Sequence, residues 1–214
     1  AKLADWCLYT WAGPEIAVAT TKGYTTQLTV LYLFALYAAK QLKTVDNAAF
    51  HQYLSTLKSL PKLIQQALDM NPGIYQLAKK YHSAYSMFFI GRNTDYAVAL
   101  EGALKMKEIS YIHAESYAAG ELKHGTISLI EDGTLVIGVC TQSEVIEKTV
   151  SNMVETGSRG AYLMGLTTAG NYNMEDIANF CVFIPKTDEH FTTSLAVVPL
   201  QLMGYYVSLA RGVD

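Results

Sequence analysis

The sequence predicts an α/β protein: a parallel sheet covered by helices on both faces, preceded by a mainly helical segment. Three observations predict it. Short continuous apolar runs occur at Met87–Ile90, Leu135–Cys140, Ala161–Leu166 and Phe180–Ile184. They lack the alternation of a strand with one wet face, so each reads as buried on both sides. Helical patterns alternate with these runs, which is the arrangement of a layered α/β fold. The first third differs, with long helical patterns and a single strand candidate at Trp6–Trp11.

Taken in order, Trp6–Trp11 reads as a strand and Ala12-Gly13-Pro14-Glu15 as the turn after it. No other strand candidate precedes Ser86, and one strand alone can neither satisfy its edges nor hide a face. Its partners are therefore expected ahead of Ala1, and the chain is expected to be a piece of a longer polypeptide, cut inside a domain. Thr20, Thr21 and Lys22 open a long apolar helix that runs to about Lys43. Its apolar run, Leu28 to Ala39 interrupted only by Thr29, is shorter than the roughly 20 residues that span a bilayer, and it reads as a core helix. Helical patterns continue over Asp46–Leu68. Asn71-Pro72-Gly73 is a break, and a short helix covers Ile74–Tyr81. After the strand Met87–Ile90 come Gly91-Arg92-Asn93-Thr94 and a charged helix. Thr141-Gln142-Ser143 reads as the cap of a helix over Glu144–Ser158. Thr193–Arg211 is the last helix. Crossovers are expected to be right-handed. Ligands are expected beyond the carboxyl ends of the strands, where Gly91–Thr94 and Thr141–Ser143 sit.

Composition removes several classes of function. Half of the 214 residues are apolar, so a sizeable core can form, and the formal net charge is -3 with no basic tract. That balance argues against nucleic acid or an anionic membrane as the main partner. Cys7, Cys140 and Cys181 are widely spaced without a CxxC pair, so neither a disulfide framework nor a zinc site is indicated. A reducing, cytoplasmic setting is expected. No signal peptide is visible, and no spacing such as HExxH suggests a metal.

The chemistry concentrates in Leu100–Gly125, LEGALKMKEISYIHAESYAAGELKHG. Glu101, Lys105 and Glu108 fall at i, i+4 and i+7 and share one helix face. Their neighbours Ala97, Val98, Leu104, Ile109 and Ile112 make the helix mostly apolar. Two readings follow from this spacing: an exposed Glu–Lys pair worth a few tenths of a kcal/mol, or carboxylates held in a cleft for proton transfer. His124, bracketed by Gly120 and Gly125, is either a structural histidine or an acid–base group titrating near neutrality. Thr20-Thr21-Lys22 is either an ordinary N-cap or an anion site at a helix N-terminus. Gly91–Thr94 admits the same two readings and is neither a dinucleotide fingerprint nor a P-loop.

Three longer stretches go further. Ala99–Gly125, together with AGPEIAVATTKGYTTQL (Ala12–Leu28) and VPLQLMGYYVSLARGVD (Val198–Asp214), resembles the isomerase part of the glutamine–fructose-6-phosphate aminotransferases, or glucosamine-6-phosphate synthases, of the sugar-isomerase (SIS) fold. The resemblance covers nearly the whole chain in the right order. It implies a three-layer αβα SIS-type sheet, with residues 1–70 the C-terminal part of a first subdomain and 71–214 a second subdomain lacking its C-terminal tail. It implies glucosamine 6-phosphate made from fructose 6-phosphate and glutamine-derived ammonia, with no cofactor and no metal. By the same resemblance Glu108 moves a proton between C1 and C2 of the open-chain sugar, and Lys105 assists it. His124 opens the sugar ring, reaching in from a neighbouring subunit, so a homodimer is implied. Val18 and Thr20 line the sugar site; Thr20 stands where serine is common.

Some family parts are absent from the sequence. Thr126 replaces the proline that usually follows His124-Gly125. The glutaminase domain and the hydroxyl-rich phosphate loops precede Ala1 in the family, and the Schiff-base lysine follows Asp214. The stretch alone is therefore expected to aminate nothing. Two other SIS readings compete: a deglycase acting on fructosamine phosphates, and a sugar-phosphate-sensing regulator of transcription. The joint presence of Glu108, Lys105 and His124 weighs against the regulator.

Overall fold

Five strands, all parallel, form one sheet in the order β2-β1-β3-β4-β5. They are β1 (Ser86–Gly91), β2 (His113–Ala118), β3 (Leu135–Cys140), β4 (Tyr162–Thr168) and β5 (Phe180–Ile184). The helices are α1 (Lys22–Gln41), α2 (Asn47–Asp69), α3 (Ile74–Tyr81), α4 (Thr94–Ser110), α5 (Ile146–Gly157) and α6 (Thr192–Arg211). This computed structural model describes residues 3–213. It divides into two units, Ala1–Leu60 and Pro61–Asp214, with the boundary inside α2.

In the second unit, β1 and β3 are buried almost throughout because layers cover both faces. On one face, Phe88, Ile90, Val136 and Met153 of α5 form a core with Leu122 and Ile130 from the connection between β2 and β3. The other face carries α3, α4 and α6, with Phe89 of β1 reaching Gly102 of α4. There, α4 and α6 approach closely: a Cβ on Gly102 would lie 2.7 Å from Leu200 Cδ1, and one on Gly204 would lie 3.1 Å from Ile109 Cδ1. By length and composition α6 could cross a membrane, yet most of it is buried in this layer. Asn71, in the break after α2, donates to the carbonyls of Ala67 and Phe183 at 2.8 and 3.0 Å and accepts from the Phe183 N–H at 3.3 Å. It thereby closes the free edge of β5.

The strands read from continuous apolar runs are all present. One strand is not anticipated from the sequence, and three expectations need correction. His113–Ala118 is a strand that no apolar run marks; it follows Tyr111, which turns left-handed (φ 60°) and stops α4. Trp6–Trp11 is not a strand; both tryptophans are exposed, and no ladder partner stands beside it among the described residues. Thr141-Gln142-Ser143 does not cap α5, which starts later, after Val145, with no side-chain cap. Finally, α1 is not a buried core helix. None of its residues is buried, and Leu31, Phe34 and Tyr37 are exposed. Within the first unit its apolar surface meets Phe50 and Leu54 across a crevice of about 220 Å³.

Candidate active site

The charges of α4 form one contiguous cluster. Lys105 is only 2% exposed, and its ammonium donates to Glu108 Oε2 and lies 3.6 Å from Glu101 Oε1. Helical spacing brings the three together; the small residues along the α4–α6 contact let the helix sit deep enough to bury Lys105. The carboxylates differ in their access to water: Glu101 is 12% exposed and Glu108 26%. Burial pushes the Glu101 carboxyl up, Lys105 opposes that, and the Glu108 charge adds to it. Glu101 Oε1 has no hydrogen-bond partner. The cluster thus holds a cation locked between two carboxylates, of which Glu108 faces outward, able to meet a ligand. That is an arrangement for passing protons, since an ammonium and a carboxylate share a short contact beside a more weakly acidic second carboxyl.

His124 belongs to a different layer. It ends a 3-10 turn (Leu122–His124) anchored by buried Leu122 on the α5 face of the sheet, and its side chain is exposed. The α4 cluster lies on the opposite face. Among the described residues no hydrogen bond or ion pair links His124 to Glu108 or Lys105. Val18 and Thr20 lie in the first unit. Val18 is 96% exposed. The Thr20 hydroxyl donates to Glu15 Oε1, which also takes the Gly23 N–H at 3.0 Å. The amino end of α1 therefore already carries an anion, supplied by its own chain.

Nor do the carboxyl-end loops coincide with the charged cluster. α4 starts at the end of β1 and runs back alongside the sheet, so Glu108 lies about 21 Å along the helix axis from Thr94. A cavity of about 1000 Å³ opens at the amino ends of β1–β3 between Tyr85, Tyr111 and Arg211, and holds none of the α4 charges. Sequence reading passed over Asp95, buried in the first turn of α4. It also passed over Gln201, whose buried Nε2 lacks a hydrogen-bond partner one position beyond the Leu200 that packs on Gly102. An acidic residue directly after a strand-to-helix loop was the available signal for Asp95; Gln201 offered none.

A parallel sheet with its helical layers, and a Glu–Lys–Glu face around the buried Lys105 on the helix after the first strand, define the class. The chain belongs to the SIS domain family, which matches residues 80–211. It is similar to the isomerizing glutamine–fructose-6-phosphate aminotransferase of Clostridium tetani, with 51% identity over 99% of this chain and 35% of that protein. The corresponding protein of Methanosarcina acetivorans is 41% identical over 97% of this chain and 34% of that protein. The solved C-terminal domain of glucosamine-fructose-6-phosphate aminotransferase from Francisella tularensis matches with a TM-score of 0.89 and 34% identity, covering 95% of this chain and 58% of that one. The chain thus spans about a third of the length of the curated relatives it matches.

Proposed function

We propose that this chain is the isomerase part of an enzyme that makes glucosamine 6-phosphate from fructose 6-phosphate and ammonia released from glutamine. The observation that carries the reading is the contact of the buried Lys105 with Glu108, backed by the partly buried Glu101, on the helix we read as lining the sugar site. Ammonia condenses with the C2 carbonyl of the open-chain sugar, with loss of water. The resulting C2 imine isomerises by removal of a proton from C1 and return of one to C2, while the O1 proton passes to the nitrogen on C2. Glu108 performs the carbon transfer, and Lys105 serves the proton exchange between O1 and the C2 nitrogen. Cations and N–H donors beside the charge developing at O1 and the C2 nitrogen make a metal unnecessary. Val18 and Thr20 contact the sugar from the preceding segment, which we read as the C-terminal part of a first SIS subdomain ending near residue 70. Because His124 lies across the sheet from Glu108, ring opening by His124 calls for a second copy of the chain. A homodimer in the cytoplasm fits this scheme.

The test is a chimera in which this chain replaces the matched third of the Clostridium tetani relative. Formation of glucosamine 6-phosphate from fructose 6-phosphate and glutamine is expected. A folded, dimeric chimera that makes none contradicts the reading.

A further inference from the structure

The switch point of the sheet lies between the carboxyl ends of β1 and β3, since the chain leaves β1 for β2 on one side and takes up β3 on the other. Such crevices gather anions because successive backbone N–H groups at strand-to-helix loops point into them. Here those donors are already engaged. Asp95 Oδ2 accepts the N–H groups of Thr141 at 2.7 Å and Gln142 at 3.2 Å, and Oδ1 accepts the Thr141 hydroxyl at 2.5 Å. The next N–H, that of Ser143, donates to Glu189 Oε1 at 3.2 Å. Asp95 is 1% exposed, and no lysine, arginine or histidine pairs with it among the described residues. A buried carboxylate held by neutral donors alone has the coordination of a bound anion, not of an ion pair.

The loop before α4 is shaped to deliver it. A Cβ on Gly91 would fall 2.5 Å from the carbonyl carbon of Asp95, so the first helical turn folds directly onto the strand end. Asn93 takes a left-handed φ of 52°, a region that favours glycine. The chain accepts that strain where the turn drives Asp95 into the crevice.

We infer that the Asp95 carboxylate is a built-in anion that fills the donor cradle of Thr141 and Gln142 at this switch point, and so keeps a phosphate group from binding there. The inference rests on the proposed function only in making phosphate the group that matters. A sugar phosphate meeting the α4 cluster then finds no competing phosphate position at this crevice.

The test is an amide NMR titration of the 214-residue chain with inorganic phosphate at constant ionic strength, following Thr141, Gln142 and Ser143. The native chain is expected to show no saturable shift at these amides up to about 50 mM, whereas Asp95→Ala binds at least about tenfold more tightly. Saturable shifts of these amides in the native chain, or their absence in folded Asp95→Ala, overturn the inference. Should Asp95→Ala be unfolded in plain buffer, phosphate is expected to restore its dispersed spectrum, and a chain that stays unfolded at every phosphate concentration is equally contrary. The probe is inorganic phosphate, so an inactive chimera would refute the proposed function and leave this result standing.

Discussion

Replacing Lys105 with methionine tests the buried cluster most sharply. The substitution keeps the unbranched stem out to the ε position and removes the ammonium that both carboxylates face. Breaking a fully buried ion pair by removing one partner costs about 3–5 kcal/mol. Glu108 is 26% exposed and partly solvated, so the value is discounted to about 2–3 kcal/mol at pH 7. For a chain of this size that is a fall in Tm of about 4–12 °C. The pH dependence has a definite sign. In the native chain burial raises the Glu101 carboxyl and Lys105 opposes the rise, so losing Lys105 raises it further. A carboxyl whose folded pKa exceeds its unfolded value stabilises fully at low pH, and that contribution is lost as pH rises through the folded pKa. The deficit of Lys105→Met is therefore largest at neutral pH and narrows as the pH falls toward the ordinary glutamate value of about 4.3. Urea unfolding followed by far-UV circular dichroism at both pH values measures it. A deficit below about 0.5 kcal/mol at pH 7, as for an exposed pair, would refute the reasoning. So would a deficit that grows on acidification.

Two further substitutions probe the scaffold around the sheet. Gly91→Ala places a Cβ against the backbone of Asp95, which cannot rotate away as a side chain could. It is expected to cost about 3 kcal/mol in chemical denaturation, and a loss near zero would contradict the close approach. Asn71→Ala removes three hydrogen bonds, one to Ala67 of α2 and two to Phe183 of the edge strand. An expected loss of about 1–3 kcal/mol, with faster amide exchange at Phe183, would follow from leaving those groups unpaired.

The legibility of the fold follows from burial. β1, β3, β4 and β5 announce themselves because apolar residues are required on both of their faces. β2 is an edge strand in which His113, Glu115 and Tyr117 alternate with alanine and serine, and it pairs only with β1. Nothing apolar marks it, and it directly follows a helix. Trp6–Trp11 has the aromatic content of a strand without a pairing neighbour among the described residues, and pairing is a property of two segments. The cluster on α4 was readable since helical spacing alone aligns Glu101, Lys105 and Glu108; that Lys105 is buried depends on α6, which lies about a hundred residues later. The engagement of Thr141 by Asp95 joins residues 46 positions apart and had no local trace. Likewise, the carboxyl-end rule pointed at a real anion cradle, but one already filled by the chain itself.

The central claim is that Glu108, gripped by a buried lysine, carries hydrogen between adjacent sugar carbons. The direct measurement is the loss of deuterium from C1-deuterated fructose 6-phosphate by the chimera and its Glu108→Gln form. The variant is expected to bind the sugar phosphate within a few-fold of the parent while C1 deuterium loss slows by at least about a hundredfold. Deuterium leaving C1 at close to the parental rate would contradict the account.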